Sequence, residues 1–311
     1  MNSPMVLRGG VVANRATLRV EAGRLSDALR AEFFKVVHRR MTYILLAALV
    51  GLMLLFYGIL WLRIRQGPDR ETARAIANWL SLQSTMSFQN VVPYGLSLER
   101  FFATLVCVIF AGTVMGNEYD WRTVGLVVGR GVRRWHFIFA KLAISMLFTL
   151  VAVVLGFLTA MAASAWFTHL YGLPYGTTDG AWFVHMVFSM VRLAFVVSPS
   201  VMLALLFAVT WRSAGQAVGA ALGIYFTEGI FTNLLSNARG WLSHIPEGLV
   251  NFNGDAVMRA NGRVGNGGES AAFIFGSGDA PLWRATLIIF VWLAVAMALF
   301  FWQFQRRDVQ E

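Results

Sequence analysis

Chemistry in this sequence is confined to a few polar side chains set in long apolar runs. Arg192 and Glu228 each lie inside such a run. An ion exposed to hydrocarbon costs several kcal/mol, so each of them must face protein, water or a partner. Counted from the outer ends of their segments, their depths agree within ~5 Å at ~1.5 Å of rise per helical residue, which predicts an intramembrane ion pair. Such a pair acts either as a structural staple or in substrate passage. His185, alone near the outer end of its run, would need a matching second ligand or an attachment motif to hold a haem or chlorophyll, and the sequence shows neither. Cys107 is the single cysteine and sits in an apolar run, which leaves no disulfide framework and no thiolate metal cluster. A P-loop ATPase requires G-x-x-x-x-G-K-[ST]. The only two lysines, Lys35 and Lys141, follow Phe34 and Ala140, so no ATPase of that type is encoded. No catalytic constellation and no metal site can be assembled from the remaining polar residues.

These residues are positioned by an all-α integral membrane architecture. The 311 residues are 57% hydrophobic and 14% charged, with a mean hydropathy of +0.61, against the roughly 25% charged residues of a soluble domain. A span needs ~20 apolar residues to cross a ~30 Å hydrocarbon layer. Six segments qualify: Met41 to Leu62, a second from about Tyr94 to Met115, Leu142 to Trp166, Phe183 to Val209, Ala214 to Leu235, and Ala285 to Trp302. The second places Glu99 and Arg100 close to the outer interface. The expected organisation is a cytoplasmic N-terminal segment over residues 1–40, a six-span domain over 41–303 and a tail over 304–311. Its outer loops are expected over about 63–98, 167–182 and 236–283.

Met1 to Arg40 has no apolar core of signal-peptide length, so the first span is expected to be retained. Of the 26 basic residues, sixteen fall on the side of the termini, nine on the other side, and Arg192 lies within a span. That bias predicts cytoplasmic termini in a bacterial-type plasma (inner) membrane and accounts for the net charge of +10 without a nucleic-acid partner. Before the first span, Leu25, Leu29, Phe33, Val36 and Val37 recur at helical spacing among basic residues, which predicts an amphipathic helix on the inner face of the membrane. Residues 68–83 predict a short interfacial helix in the first outer loop, and 261–268 a Gly- and Asn-rich stretch in the last.

Between the second and third spans the chain reads Glu118-Tyr119-Asp120-Trp121-Arg122-Thr123, then Arg130-Gly131-Val132-Arg133-Arg134-Trp135, and finally Lys141. Together with the six-span layout, this resembles the permease subunits of the ABC-2 class, the type II or type V ABC exporters. In that family the second span ends in a Glu, followed by an aromatic or basic residue and a Gly-Thr pair, a short coupling helix, an Arg-containing turn and a Lys entering the third span. Glu118, Thr123, Arg134 and Lys141 match in order, while Arg122 stands where the family has Gly. Leu29 to Arg40 resembles its elbow helix, Phe304 to Asp308 its C-terminal ending, and Pro246 a proline it often carries.

The resemblance implies a transport subunit rather than an enzyme. ATP and Mg would bind a separate P-loop ABC ATPase subunit, which would dock on a coupling surface formed by Glu118, Tyr119, Trp121, Thr123, Arg130, Arg134 and Lys141. It also implies a second copy or a related permease. Gly215, Gly219 and Gly223 form a small-residue face on the fifth span, suited to that seam or to an intrachain contact. The apolar spans suit a hydrophobic or amphipathic substrate leaving the cytoplasm or inner leaflet. The competing reading is a structural or accessory subunit of a larger membrane complex that retains a permease-like fold.

Overall fold

A computed structural model describes residues 25–68, 72–123, 133–236, 240–262 and 280–306. Every regular element among them is helical. A first helix, α1 (Leu25–His38), leads into the first span, α2 (Arg40–Arg65), whose apolar run is bracketed by arginines. The short helix α3 (Ala73–Met86) falls where an interfacial helix was expected. Its first turn is capped by the Thr72 hydroxyl, which accepts from the Ala75 amide at 3.3 Å. Then come α4 (Leu96–Asp120), α5 (Arg134–Leu170), α6 (Gly180–Trp211), α7 (Ala214–Ser236), α8 (Val250–Met258) and α9 (Leu282–Arg306).

Among the described residues, six helices are long and apolar enough to cross a membrane: α2, Phe88–Asp120 including α4, then α5, α6, α7 and α9. An even number of crossings puts the start of α2 and the end of α9 on one side, here called the terminal end. Arg134, at the start of α5, donates to the Gln305 carbonyl at the end of α9, which ties two of the helix ends there.

Two spans are longer than their apolar runs. Ahead of α4, a 3-10 turn at Phe88–Asn90 and a π turn at Val91–Gly95 continue the second span upstream. The π turn absorbs Pro93, which has no amide to donate. Glu99 therefore lies eleven residues along this span from Phe88 and Arg100 twelve, further from its start than a span beginning at Tyr94 would place them. With 37 residues, α5 extends about 55 Å at ~1.5 Å per residue, so it begins eight residues before Leu142 and carries Arg134 and Lys141 on the span helix itself.

α6 continues unbroken through Pro199. The proline cannot donate to the Phe195 carbonyl, and the Ser198 hydroxyl takes that role at 2.7 Å. The second and fourth spans are the most enclosed, and α4 packs against α2, α5, α6 and α7. Phe110 stacks on Phe148 of α5. Gly112 and Gly116 of α4 meet Val218 and Ala214 of α7 so closely that any Cβ would overlap them. This pair makes the glycine-mediated packing. Gly215, Gly219 and Gly223 face open space, which removes the intrachain alternative among the described residues.

Candidate functional site

Buried charge gathers at two places. At the terminal end, Lys141 of α5 reaches Glu118 of α4 at 2.7 Å and Glu32 of α1 at 2.6 Å, and also donates to the Val114 carbonyl. Lys35 of α1 reaches the same two carboxylates, Glu32 at 2.8 Å and Glu118 at 3.0 Å. Each lysine thus touches both glutamates in a closed, charge-neutral ring across three helices. The Lys141, Glu118 and Glu32 side chains are 1%, 3% and 6% exposed, so no water replaces a lost partner. Burial opposes the charge on Lys35, but the Glu32 and Glu118 carboxylates outweigh it and hold the ammonium above the ordinary lysine range. Thr123 closes the far side of Glu118, donating to its carboxylate and to its carbonyl.

The ring explains how α1 lies. Leu25, Leu29, Glu32 and Val36 make the stripe turned toward the spans, while Phe33, Phe34 and Val37 are exposed on the other side, where an interfacial helix would meet lipid. Glu32 and Lys35 were not singled out as site residues in the sequence. The available signal was a glutamate placed on the apolar stripe of an amphipathic helix, three residues before a lysine.

The residues expected to contact an ATPase therefore separate into two groups. Glu118, Thr123 and Lys141 are internal and brace the helices. Tyr119 is half-buried, whereas Trp121 is 61% exposed with the Arg39 guanidinium 5.2 Å from its ring centroid, and Trp135 is 44% exposed. Arg134 holds the end of α9. Arg130 and most of the expected coupling helix lie outside the described residues. Arg122, standing where the resembled family has glycine, adopts a left-handed backbone with φ 54°. That conformation is the one glycine adopts without a Cβ penalty.

At the opposite end, a 3-10 stretch (Gly240–Gly248), α8 and a 3-10 turn (Arg259–Asn261) fold back against the bundle. They occupy part of the expected outer loop 236–283, and α8 packs on α6, α7 and α9. Arg100 of α4 pairs with Asp255 and donates to Asn251 through both its carbonyl and its side chain, at 3.1 and 3.2 Å. A Cβ on Gly254 would overlap that guanidinium. The Glu228 carboxylate of α7 accepts from the Asn251 amide at 2.8 Å, and the Asn251 side chain donates to the Tyr225 carbonyl. Arg192 of α6 donates to the Ala260 carbonyl at 3.2 Å and to Asn261 at 3.0 Å.

The expected Arg192–Glu228 ion pair is therefore not formed. Matching depth on two helices does not bring side chains together when a third element stands at the same level with amides and carbonyls to offer. Asn251, Asp255 and Asn261, all in that element, are the partners missed. The polar residues interrupting the apolar stretch Leu249 to Met258 were the signal for it.

His185 is half-buried, and no group of three metal-ligating side chains occurs among the described residues. The family model described as "Protein of unknown function (DUF2705)" matches residues 83–310. The chain belongs to this family. The DUF2705 match takes in Arg100, Glu118, Lys141 and the whole of α8, and excludes Glu32 and Lys35 of α1. No curated protein matches the chain.

Proposed function

We propose that the chain is the permease subunit of an ATP-driven exporter of the ABC-2 class. Both termini would be cytoplasmic, and a separate P-loop subunit would bind ATP and Mg and hydrolyse the nucleotide. The observation that supports this reading most is the buried Glu118–Lys141–Glu32–Lys35 ring. It ties α1 to the ends of the second and third spans that lead into and out of the segment that would receive the ATPase. A force on residues 121–135 would then move two spans and α1 together rather than bend a loop. The exposed Trp121 and Trp135 are the aromatic anchors for that contact. A second permease would cover the open Gly215, Gly219 and Gly223 face. The substrate would be hydrophobic or amphipathic, leaving from the cytoplasm or inner leaflet.

Affinity purification of the tagged chain in mild detergent, with mass spectrometry and an ATPase assay, tests the reading. A P-loop ATPase should co-purify and should be lost from the W121A/W135A double variant while the chain stays folded. A stable complex of membrane proteins without any ATPase would overturn it and favour an accessory subunit.

A further inference from the structure

Glu99 differs from every other buried acid described above. Its side chain is fully buried in α4, and neither carboxyl oxygen has a hydrogen-bond donor. Gly156 of α5, against which it lies, is within two residues of the centre of the apolar run Leu142 to Trp166, so the carboxyl sits near the middle of the layer that run is long enough to cross. The carboxyl is pressed against the α5 backbone at Gly156, where any Cβ would overlap Oε1. Glycine at 156 is what makes room for it.

Tyr57 of α2, whose hydroxyl accepts from Ser164 of α5 at 3.4 Å, and Cys107 of α4 are ionisable groups that would feel a charge on Glu99, and neither is a cation that could balance it. Tyr94 of the π turn interacts in turn with Tyr57. Arg100, the next residue, is turned toward α8 and committed to Asp255 and Asn251. Among the described residues no cation pairs with Glu99. A carboxylate without donors or a counter-ion is the most costly group that can be placed at this depth, whereas a neutral carboxyl loses only an ordinary polar desolvation.

We propose that Glu99 is an intramembrane proton-binding site, occupied by a proton at neutral pH and sealed between the second and third spans. Proton exchange there requires α4 to separate from α5 at Gly156, so loss of the proton accompanies opening of that seam. The proposal does not depend on the exporter reading.

Infrared difference spectroscopy of the full-length chain in lipid nanodiscs tests it. At neutral pH the wild-type spectrum should contain the carbonyl-stretch band of a protonated carboxyl, E99Q should remove it, and E99D should keep it at a shifted frequency. Absence of such a band from the wild type overturns the proposal. So does its full retention in E99Q, or a difference confined to the carboxylate bands. If E99Q does not accumulate, the wild-type spectrum and the E99D shift decide the matter alone.

Discussion

The two ends of the bundle bury charge in different ways. At the terminal end, four ionised side chains from α1, α4 and α5 neutralise one another in a closed ring. At the opposite end, Arg100, Arg192 and Glu228 reach largely for amides and carbonyls of the segment that includes α8, where Asp255 also pairs with Arg100 and Glu247 with Arg284. Removing a member of the ring strands a charge among buried neighbours. Separating the α8 segment from the bundle leaves peptide groups that water or lipid headgroups can serve. The first arrangement joins helices through charges that have no replacement, and the second holds the α8 segment on the bundle largely through contacts that solvent can replace.

The largest effect should come from breaking the ring. Lys141→Met leaves Glu118 and Glu32 facing each other with only the half-exposed Lys35 between them, and should lower unfolding stability in mixed micelles by about 3–5 kcal/mol. A loss under about 1 kcal/mol would remove the contrast between the ends. Next come the glycines. Gly116→Ala pushes a methyl into the α7 backbone at Ala214, which cannot move aside, and should cost about 1–3 kcal/mol. Gly254→Ala meets side chains of Arg100 and Val196 rather than backbone, and its gain in helix propensity offsets part of the overlap, so it should cost about 1 kcal/mol less than Gly116→Ala. Equal losses would mean that α8 is packed as rigidly as the spans.

Glu228→Gln keeps an acceptor for the Asn251 amide and should cost about 1 kcal/mol by thermal unfolding, well below Lys141→Met. Arg122→Gly relieves a left-handed arginine and should raise unfolding stability slightly, by up to about 1 kcal/mol. The smallest effect concerns pH. Hydrogen bonds from His244 and Arg284 hold the Glu247 carboxyl below its ordinary range. A lowered pKa in the folded state contributes stability above the unfolded carboxylate value, lost as pH falls through the folded one. Protease cleavage within 240–258 should therefore rise only below the usual carboxylate range, and E247Q should abolish that rise.

The six apolar helices and the amphipathic helix α1 were legible because apolar runs of span length and a 3.6-residue stripe are properties of the chain alone. The glutamate-to-lysine order across the second and third spans was legible as well, but as a docking surface rather than an internal brace. The brace needs Glu32 from α1, and sequence separation conceals that neighbour. The upstream extension of the second span was hidden by Pro93, which reads as a helix boundary until a π turn accommodates it. The Arg192 and Glu228 partners were missed because the segment from Gly240 to Asn261 reads as a loop, while its asparagines serve as internal hydrogen-bonding groups at span depth. The choice between the glycine rows at 112 and 116 and at 215, 219 and 223 depends on which face turns inward, which periodicity does not decide.

Hydrogen–deuterium exchange of the purified chain in lipid nanodiscs tests the difference between the ends most directly, because local opening exposes amides one cooperative unit at a time. Amides of Val250–Met258 should exchange well before those of α5 around Lys141, and R100M should speed the former while leaving the latter unchanged. Exchange of both regions at one rate, or earlier opening around Lys141, would contradict a terminal end held more firmly than the α8 segment.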